Sequence, residues 1–231
     1  METISIKLRR DQLSEKLGGG IPRSSIFLIE GNDGGGKSIL CQRFTYGFLQ
    51  NHATVTYVST ELSTMGFVNQ MYSLGYDITE HMLNEELLFI PMFPSIGKVK
   101  LRKTSIDKLI KTKKIFEKEI IIFDTLSYLL IQEEFSREKI FTIVKFFKTL
   151  TNMGKIVIVA IDPNLIPQDF IKILRSIADM YVVTQSKNVL GNILNVVSVN
   201  RFRGAENSVT LEFPFSVKPG SGLTIEIASL S

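Results

Sequence analysis

Eight consecutive residues, Gly31, Asn32, Asp33, Gly34, Gly35, Gly36, Lys37 and Ser38, match G-x-x-x-x-G-K-[ST] at every fixed position. The residue types define the chemistry. Glycines let the chain turn sharply enough for several backbone N–H groups to converge on one phosphate chain. Lys37 supplies a cation for the β- and γ-phosphates, and the Ser38 hydroxyl is a ligand for Mg²⁺. Residues Asp33, Gly34, Gly35, Gly36, Lys37, Ser38 and Ile39 are therefore the expected nucleotide contacts. Asp33 is the awkward member, because a carboxylate repels phosphate; its side chain is expected to turn outward.

Two further carboxylates extend this site. Asp124 ends the apolar run Ile120, Ile121, Ile122, Phe123. A buried strand that finishes in a carboxylate at the phosphate crevice suits Mg²⁺, held partly through water, so Ser38 and Asp124 form the expected metal pair. Glu61 follows the β-branched segment 54–59. It is placed either to orient an attacking water or as an ordinary surface-loop glutamate. Asp162 closes the apolar segment 155–161 and precedes Pro163. Its readings are a γ-phosphate sensor or, in better accord with the proline, a turn-forming aspartate.

The elements that must position these residues alternate in type. The run 25–30 reads as a buried strand and 39–50 as the helix behind the glycine loop. Strands follow at 54–59, 87–90, 120–124 and 155–161, and helices at 65–74, 105–116, 138–151 and 171–179. Phe135, Phe141, Phe146 and Phe147 suit a core-facing stripe. From Met180 the pattern changes to strands at 180–184, 193–200, 208–213 and 223–227, with turns at Gly191, Gly204, Gly220 and Gly222. Alternating strands and helices predict a mostly parallel sheet covered by helices on both faces. The terminal strands predict an antiparallel extension of that sheet, so 1–231 is read as one α/β domain. Segment 91–104, with Pro91, Pro94 and Gly97, reads as a mobile loop.

Composition narrows the classes. An apolar content of 44% over 231 residues supports a full core. The formal charge of +4 is compatible with nucleic acid or an anionic surface and selects neither. Cys41 is the only cysteine, which excludes an internal disulfide; it reads as a packed thiol. No run approaches the ~20 apolar residues of a membrane span, and the N-terminus lacks the apolar core of a secretion signal. His52 and His81 are isolated, so no metal cluster is expected beyond the Mg²⁺ pair. The basic stretch from Lys98 to Lys114 reads as a solvated face, or as a patch for an anionic membrane or an acidic partner.

Several segments taken in order carry a resemblance: LGGGIP at 17–22, YVSTE at 57–61, FDT at 123–125, VNRFRG at 199–204 and FPF at 213–215. This succession resembles the KaiC branch of the RecA-like ATPases and spans nearly the whole chain. Within that branch it is most similar to the single-domain accessory proteins of the archaellum, the archaeal flagellum. The resemblance implies a RecA-like P-loop core and ATP with Mg²⁺ at a subunit edge. It also implies a homo-oligomeric, hexameric ring. The implied partners are the archaellum motor ATPase and scaffold proteins at the cytoplasmic membrane, which would make the protein cytoplasmic and peripheral to that membrane.

The same resemblance assigns roles by position. Glu61 matches the first of two adjacent catalytic carboxylates, and Leu62 stands where the second belongs. That departure implies weak or conditional hydrolysis. Arg201 and Arg203 match a basic pair that reaches a neighbour's nucleotide in trans. Read as residues alone, they are equally a pair of solvated strand cations flanking Phe202. Two other functions share this fold. A recombinase-like DNA-dependent ATPase would need DNA-binding loops, which are not evident, and a KaiC-like signalling kinase would be expected to carry a second domain.

Overall fold

A nine-stranded sheet organises the computed structural model, which describes residues 2–92, 109–131, 136–189 and 192–226. Most of the expected loop at 91–104, the first residues of the helix expected from 105, most of the basic stretch, Phe135 and the turn at Gly191 lie outside the described residues.

The chain begins with a small antiparallel pair, β1 (Thr3–Ser5) and β2 (Gly20–Pro22), around a helical turn α1 (Leu13–Lys16). The main sheet then takes β3 (Ile26–Gly31), β4 (Val55–Ser59), β5 (Leu87–Pro91), β6 (Ile120–Asp124), β7 (Ile156–Ile161), β8 (Met180–Val189), β9 (Asn192–Phe202), β10 (Glu212–Lys218) and β11 (Gly222–Ile225). Their order across the sheet is β11-β10-β9-β8-β3-β7-β6-β4-β5. Strands from β8 to β5 are parallel, and β9, β10 and β11 add an antiparallel extension. The expected α/β class with a mostly parallel sheet and a C-terminal antiparallel extension is the observed one.

The described helices are α2 (Lys37–Gln50), α3 (Thr64–Ser73), α4 (Thr79–Leu83), α5 (Leu126–Leu130), α6 (Arg137–Asn152) and α7 (Gln168–Ile177). A side-chain cap starts two of them: Ser63 accepts from the Gly66 N–H at 3.0 Å and Ser136 from the Lys139 N–H at 3.2 Å. The central strands β3, β6 and β7 are buried throughout, which is why each reads as a continuous apolar run rather than an alternating one. Strand alternation divides their side chains between two cores. Phe27 and Ile29 of β3 join Phe44 and Phe48 of α2 on one face. Leu28 joins Phe123, Phe147 and Phe170 on the other, under α6 and α7.

One ion pair ties the N-terminal segment to the helix behind the glycine loop. Arg43 of α2 donates to both Asp11 carboxylate oxygens, at 2.6 and 2.7 Å, and to the Ile6 carbonyl at 3.0 Å. Both charged side chains are fully buried.

Several expected boundaries move. The strand expected at 208–213 forms instead over Glu212–Lys218, with Pro214 inside it. Residues before it are taken by another partner: the Asn207 and Thr210 N–H groups donate to the Gly18 and Lys16 carbonyls. The helix expected over 171–179 starts at Gln168 and stops at Ile177. The stretch expected to be helical up to Phe116 ends, in its described part, as a 3₁₀ turn at Lys113–Phe116. The short elements β1, β2, α1, α4 and α5 carry too few residues for periodicity to reveal them.

Candidate nucleotide-binding site

The parallel strands deliver their carboxyl ends to one edge of the sheet, and the site assembles there. β3 ends at Gly31, and the loop turns through Gly34 (φ 73°) and Gly36 (φ 90°) before α2 begins at Lys37. These left-handed values suit glycine. Gly31 also lies against Thr184 of β8: a Cβ there would come within 2.2 Å of its hydroxyl and 2.6 Å of its carbonyl oxygen. The first glycine of the motif is therefore set by sheet packing as well as by the turn.

Lys37 is buried, and its Nζ donates to the Asn32 carbonyl at 2.7 Å. Ser38 Oγ donates to Asp124 Oδ1 at 3.0 Å, and Tyr57 OH donates to Asp124 Oδ2 at 2.5 Å. The cleft is lined by Asp33, Gly34, Gly36, Lys37, Ser38, Ile39, Glu61 and Asn195. Asp33 is exposed and turned onto its own loop, accepting from the Gly34 N–H at 2.9 Å, which is how the loop accommodates a carboxylate.

Electrostatics follow from burial. Asp124 is buried, which pushes its carboxyl above the ordinary range; hydrogen bonds from Tyr57 and Ser38 and the Lys37 charge oppose that rise. Desolvation by the cleft, and then the Asp124 charge, push the Glu61 carboxyl up while Lys37 pulls it down. Tyr57 and Cys41 are both driven well up by burial next to Asp124, so each stays protonated and Cys41 is an inert packed thiol. A hydroxyl and a buried carboxylate held 3.0 Å apart suit Mg²⁺: a divalent ion there would relieve the desolvated charge on Asp124. Ser38 and Asp124 are the residues that would hold it.

The remaining candidates are placed differently. Glu61 follows β4 in a turn tied to the Asp124 strand end, where the Thr60 N–H donates to the Asp124 carbonyl at 2.9 Å. Leu62 is beside it, with its N–H on Ser59 Oγ at 3.1 Å. Asp162 accepts from the Asn164 N–H at 2.9 Å and makes a turn; Asn164 Nδ2 in that turn donates to Asn32 Oδ1 at 3.1 Å. Arg201 and Arg203 are remote from their own chain's glycine loop. They stand where β9 crosses the start of β8, whereas the loop follows the end of β3. Arg201 is half-buried and donates to the Arg175 and Ala178 carbonyls at 2.6 and 3.0 Å, capping α7. Arg203, one residue beyond β9, is 65% exposed and only 4.0 Å from Asp179.

Sequence reasoning missed Tyr57, Thr184, Ser186 and Asn195. Tyr57 carried a usable signal, since a buried tyrosine in an apolar strand needs a partner for its hydroxyl. The other three approach the loop from strands about 150 residues away; Ser186 Oγ, for example, lies 3.3 Å from the Gly34 carbonyl oxygen.

Fold and site together define a RecA-like P-loop domain of the nucleotide-binding class. A model of the family described as "ATPase: KaiC" matches residues 10–229. The chain is 39% identical to the archaeal flagellar ATP-binding protein FlaH of Methanocaldococcus jannaschii, over 100% of this chain and 99% of that one. It is 37% identical to FlaH of Methanococcus voltae, over 100% of both chains. The crystal structure of the flagellar accessory protein FlaH from M. jannaschii superposes with a TM-score of 0.93 at 38% identity, over 98% of this chain and 100% of that one. A KaiC-like protein from Pyrococcus horikoshii superposes with a TM-score of 0.77 at 16% identity, over 97% and 99% of the two chains, and shares the fold. The chain belongs to the KaiC family of ATPases, in the group of the archaeal flagellar ATP-binding proteins FlaH.

Proposed function

We propose that this protein is an ATP-binding accessory subunit of an archaellum motor, in which bound nucleotide acts as a switch. The observation that carries the reading is the Lys37, Ser38 and Asp124 constellation at the carboxyl edge of the sheet, in a chain related over its full length to flagellar ATP-binding proteins. Lys37 and the loop N–H groups hold the phosphates, with Ser38 and Asp124 completing a Mg²⁺ site; the ion, when bound, neutralises charge on the β- and γ-oxygens. Glu61 orients water for attack, and the exposed Arg203, next to the Arg201 that caps α7, acts in trans on a neighbour's nucleotide within a ring. Among the described residues no helix is long and apolar enough to cross a membrane.

Slow hydrolysis follows from Leu62, which leaves Glu61 without a second carboxylate beside it. A site that holds ATP and turns it over slowly suits switching: γ-phosphate orders the turn at 60–64 and alters the surface offered to the motor ATPase. The test measures binding of purified motor ATPase to wild type and Lys37→Ala with ATP, ADP or no nucleotide. Tightest binding is expected for ATP-bound wild type. Equal affinity in all six conditions would overturn the switch.

A further inference from the structure

Three residues of β8, β9 and β10 form one row across neighbouring strands beneath the glycine loop. Ser186 of β8 pairs in register with Asn195 of β9, and Asn195 with Phe215 of β10. Directly paired residues point to the same face of a sheet, and here that face is turned to the loop. Ser186 Oγ reaches the Gly34 carbonyl at 3.3 Å and Asn195 Oδ1 at 2.9 Å. The buried Phe215 ring lies under Gly36, where a Cβ would come within 2.6 Å of its edge. The same Cβ position is 3.2 Å from Asn195 Nδ2, so this amide nitrogen sits at the first residue before α2. Asn195 also lines the cleft beside Lys37 and Ser38.

We propose that Asn195 is a phosphate-binding residue, which donates from Nδ2 to the polyphosphate at the N-terminus of α2 and is held in that orientation by Ser186. The side-chain amide is oriented with Oδ1 on Ser186 and Nδ2 toward the first residue before α2. With the Ser186 hydroxyl donating to Oδ1, the two N–H groups of Asn195 face the cleft. The flipped amide would set its carbonyl dipole against an anion. The position is also rigid, since a strand residue paired on both sides moves little relative to the sheet. A neutral donor adds a hydrogen bond to charged phosphate at a place where Asp33 brings one carboxylate already.

The inference rests on the nucleotide-binding reading above, and the experiment separates the two. Affinities for Mg-ATP and Mg-ADP are measured by calorimetry on the full chain for wild type, Asn195→Ala, Asn195→Asp and Ser186→Ala, together with each ligand-free melting temperature. A lost hydrogen bond to a charged group predicts about a tenfold weaker affinity for Asn195→Ala. The near-isosteric Asn195→Asp places a like charge beside the phosphates, so its loss is expected to be larger, and larger for ATP than for ADP. Ser186→Ala, which frees the amide to flip, is expected to lose less than Asn195→Ala. Ligand-free melting temperatures should stay near wild type. Wild-type affinity in Asn195→Ala and Asn195→Asp would overturn the proposal. So would losses that track a fall in ligand-free stability and are equal for the two nucleotides. If Asn195→Asp does not fold, the Asn195→Ala affinity decides alone. Failure of wild type itself to bind either nucleotide would instead overturn the nucleotide-binding reading.

Discussion

Ser38 and Asp124 stand 86 residues apart in the chain and meet through a 3.0 Å hydrogen bond at the base of the cleft. Tyr57 takes the other Asp124 oxygen. Each carboxylate oxygen therefore has one neutral hydroxyl donor, which keeps the group aimed at the loop and leaves lone pairs on both oxygens for a further ligand.

Lys37→Ala should remove most nucleotide binding, because the phosphates lose their fixed cation. Wild type at ligand near a hundred times its Kd should be stabilised by about 2.7 kcal/mol. Thermal melts with and without Mg-ATP check this: a clear upward shift is expected for wild type and almost none for the variant.

Asp124→Asn should separate stability from metal binding. In the folded protein burial raises the Asp124 pKa, so the native state holds its proton to a higher pH than the unfolded chain does. Stability from this group is therefore greatest below the ordinary carboxylate range and declines as pH rises through the raised value. The ligand-free variant should be more stable than wild type at neutral pH and should lose that slope. Its Mg²⁺-dependent ATP affinity should fall at least about tenfold, the cost of one charged ligand contact. Denaturation across pH and ATP titrations with and without Mg²⁺ measure both effects.

Glu61→Gln should abolish residual hydrolysis while leaving ATP affinity close to wild type. Phosphate release by the wild type should itself run well below a typical enzyme rate of about 10 per second. A rate at that level would refute the weak-ATPase reading.

Arg201 and Arg203 should respond differently to alanine. Arg201 holds two carbonyls at the end of α7, so Arg201→Ala should cost about 1.5–3 kcal/mol of folding stability. Arg203 is exposed, so Arg203→Ala should leave the monomer's melting temperature unchanged and weaken ATP-dependent oligomers. Denaturant melts and sedimentation with and without ATP distinguish the two.

Asp11→Ala should be the most damaging of these changes. It leaves Arg43 charged and without its carboxylate inside the core, and breaking a buried pair in this way costs about 3–5 kcal/mol. The denaturant midpoint is expected to fall accordingly.

Features carried by local pattern are legible in the chain before it folds. The loop from Gly31 to Ser38 announces its chemistry because its spacing is contiguous. The strands β3, β6 and β7 announce burial because each is an unbroken apolar run, and Asp124 is legible as the residue that ends one. Which groups converge on that loop depends on the order of the strands across the sheet. Tyr57, Thr184, Ser186 and Asn195 lie on strands whose order across the sheet bears no simple relation to their order in the chain. A strand's alternation says that two residues share a face, but not which loop that face meets. The same limit explains Arg201: one periodicity serves a solvated cation and a helix cap equally, and only the fold brings the last carbonyls of α7 within reach of this β9 side chain. The displaced strand β10 has a like cause, since the segment before it found its backbone partners at Lys16 and Gly18, far back in the chain.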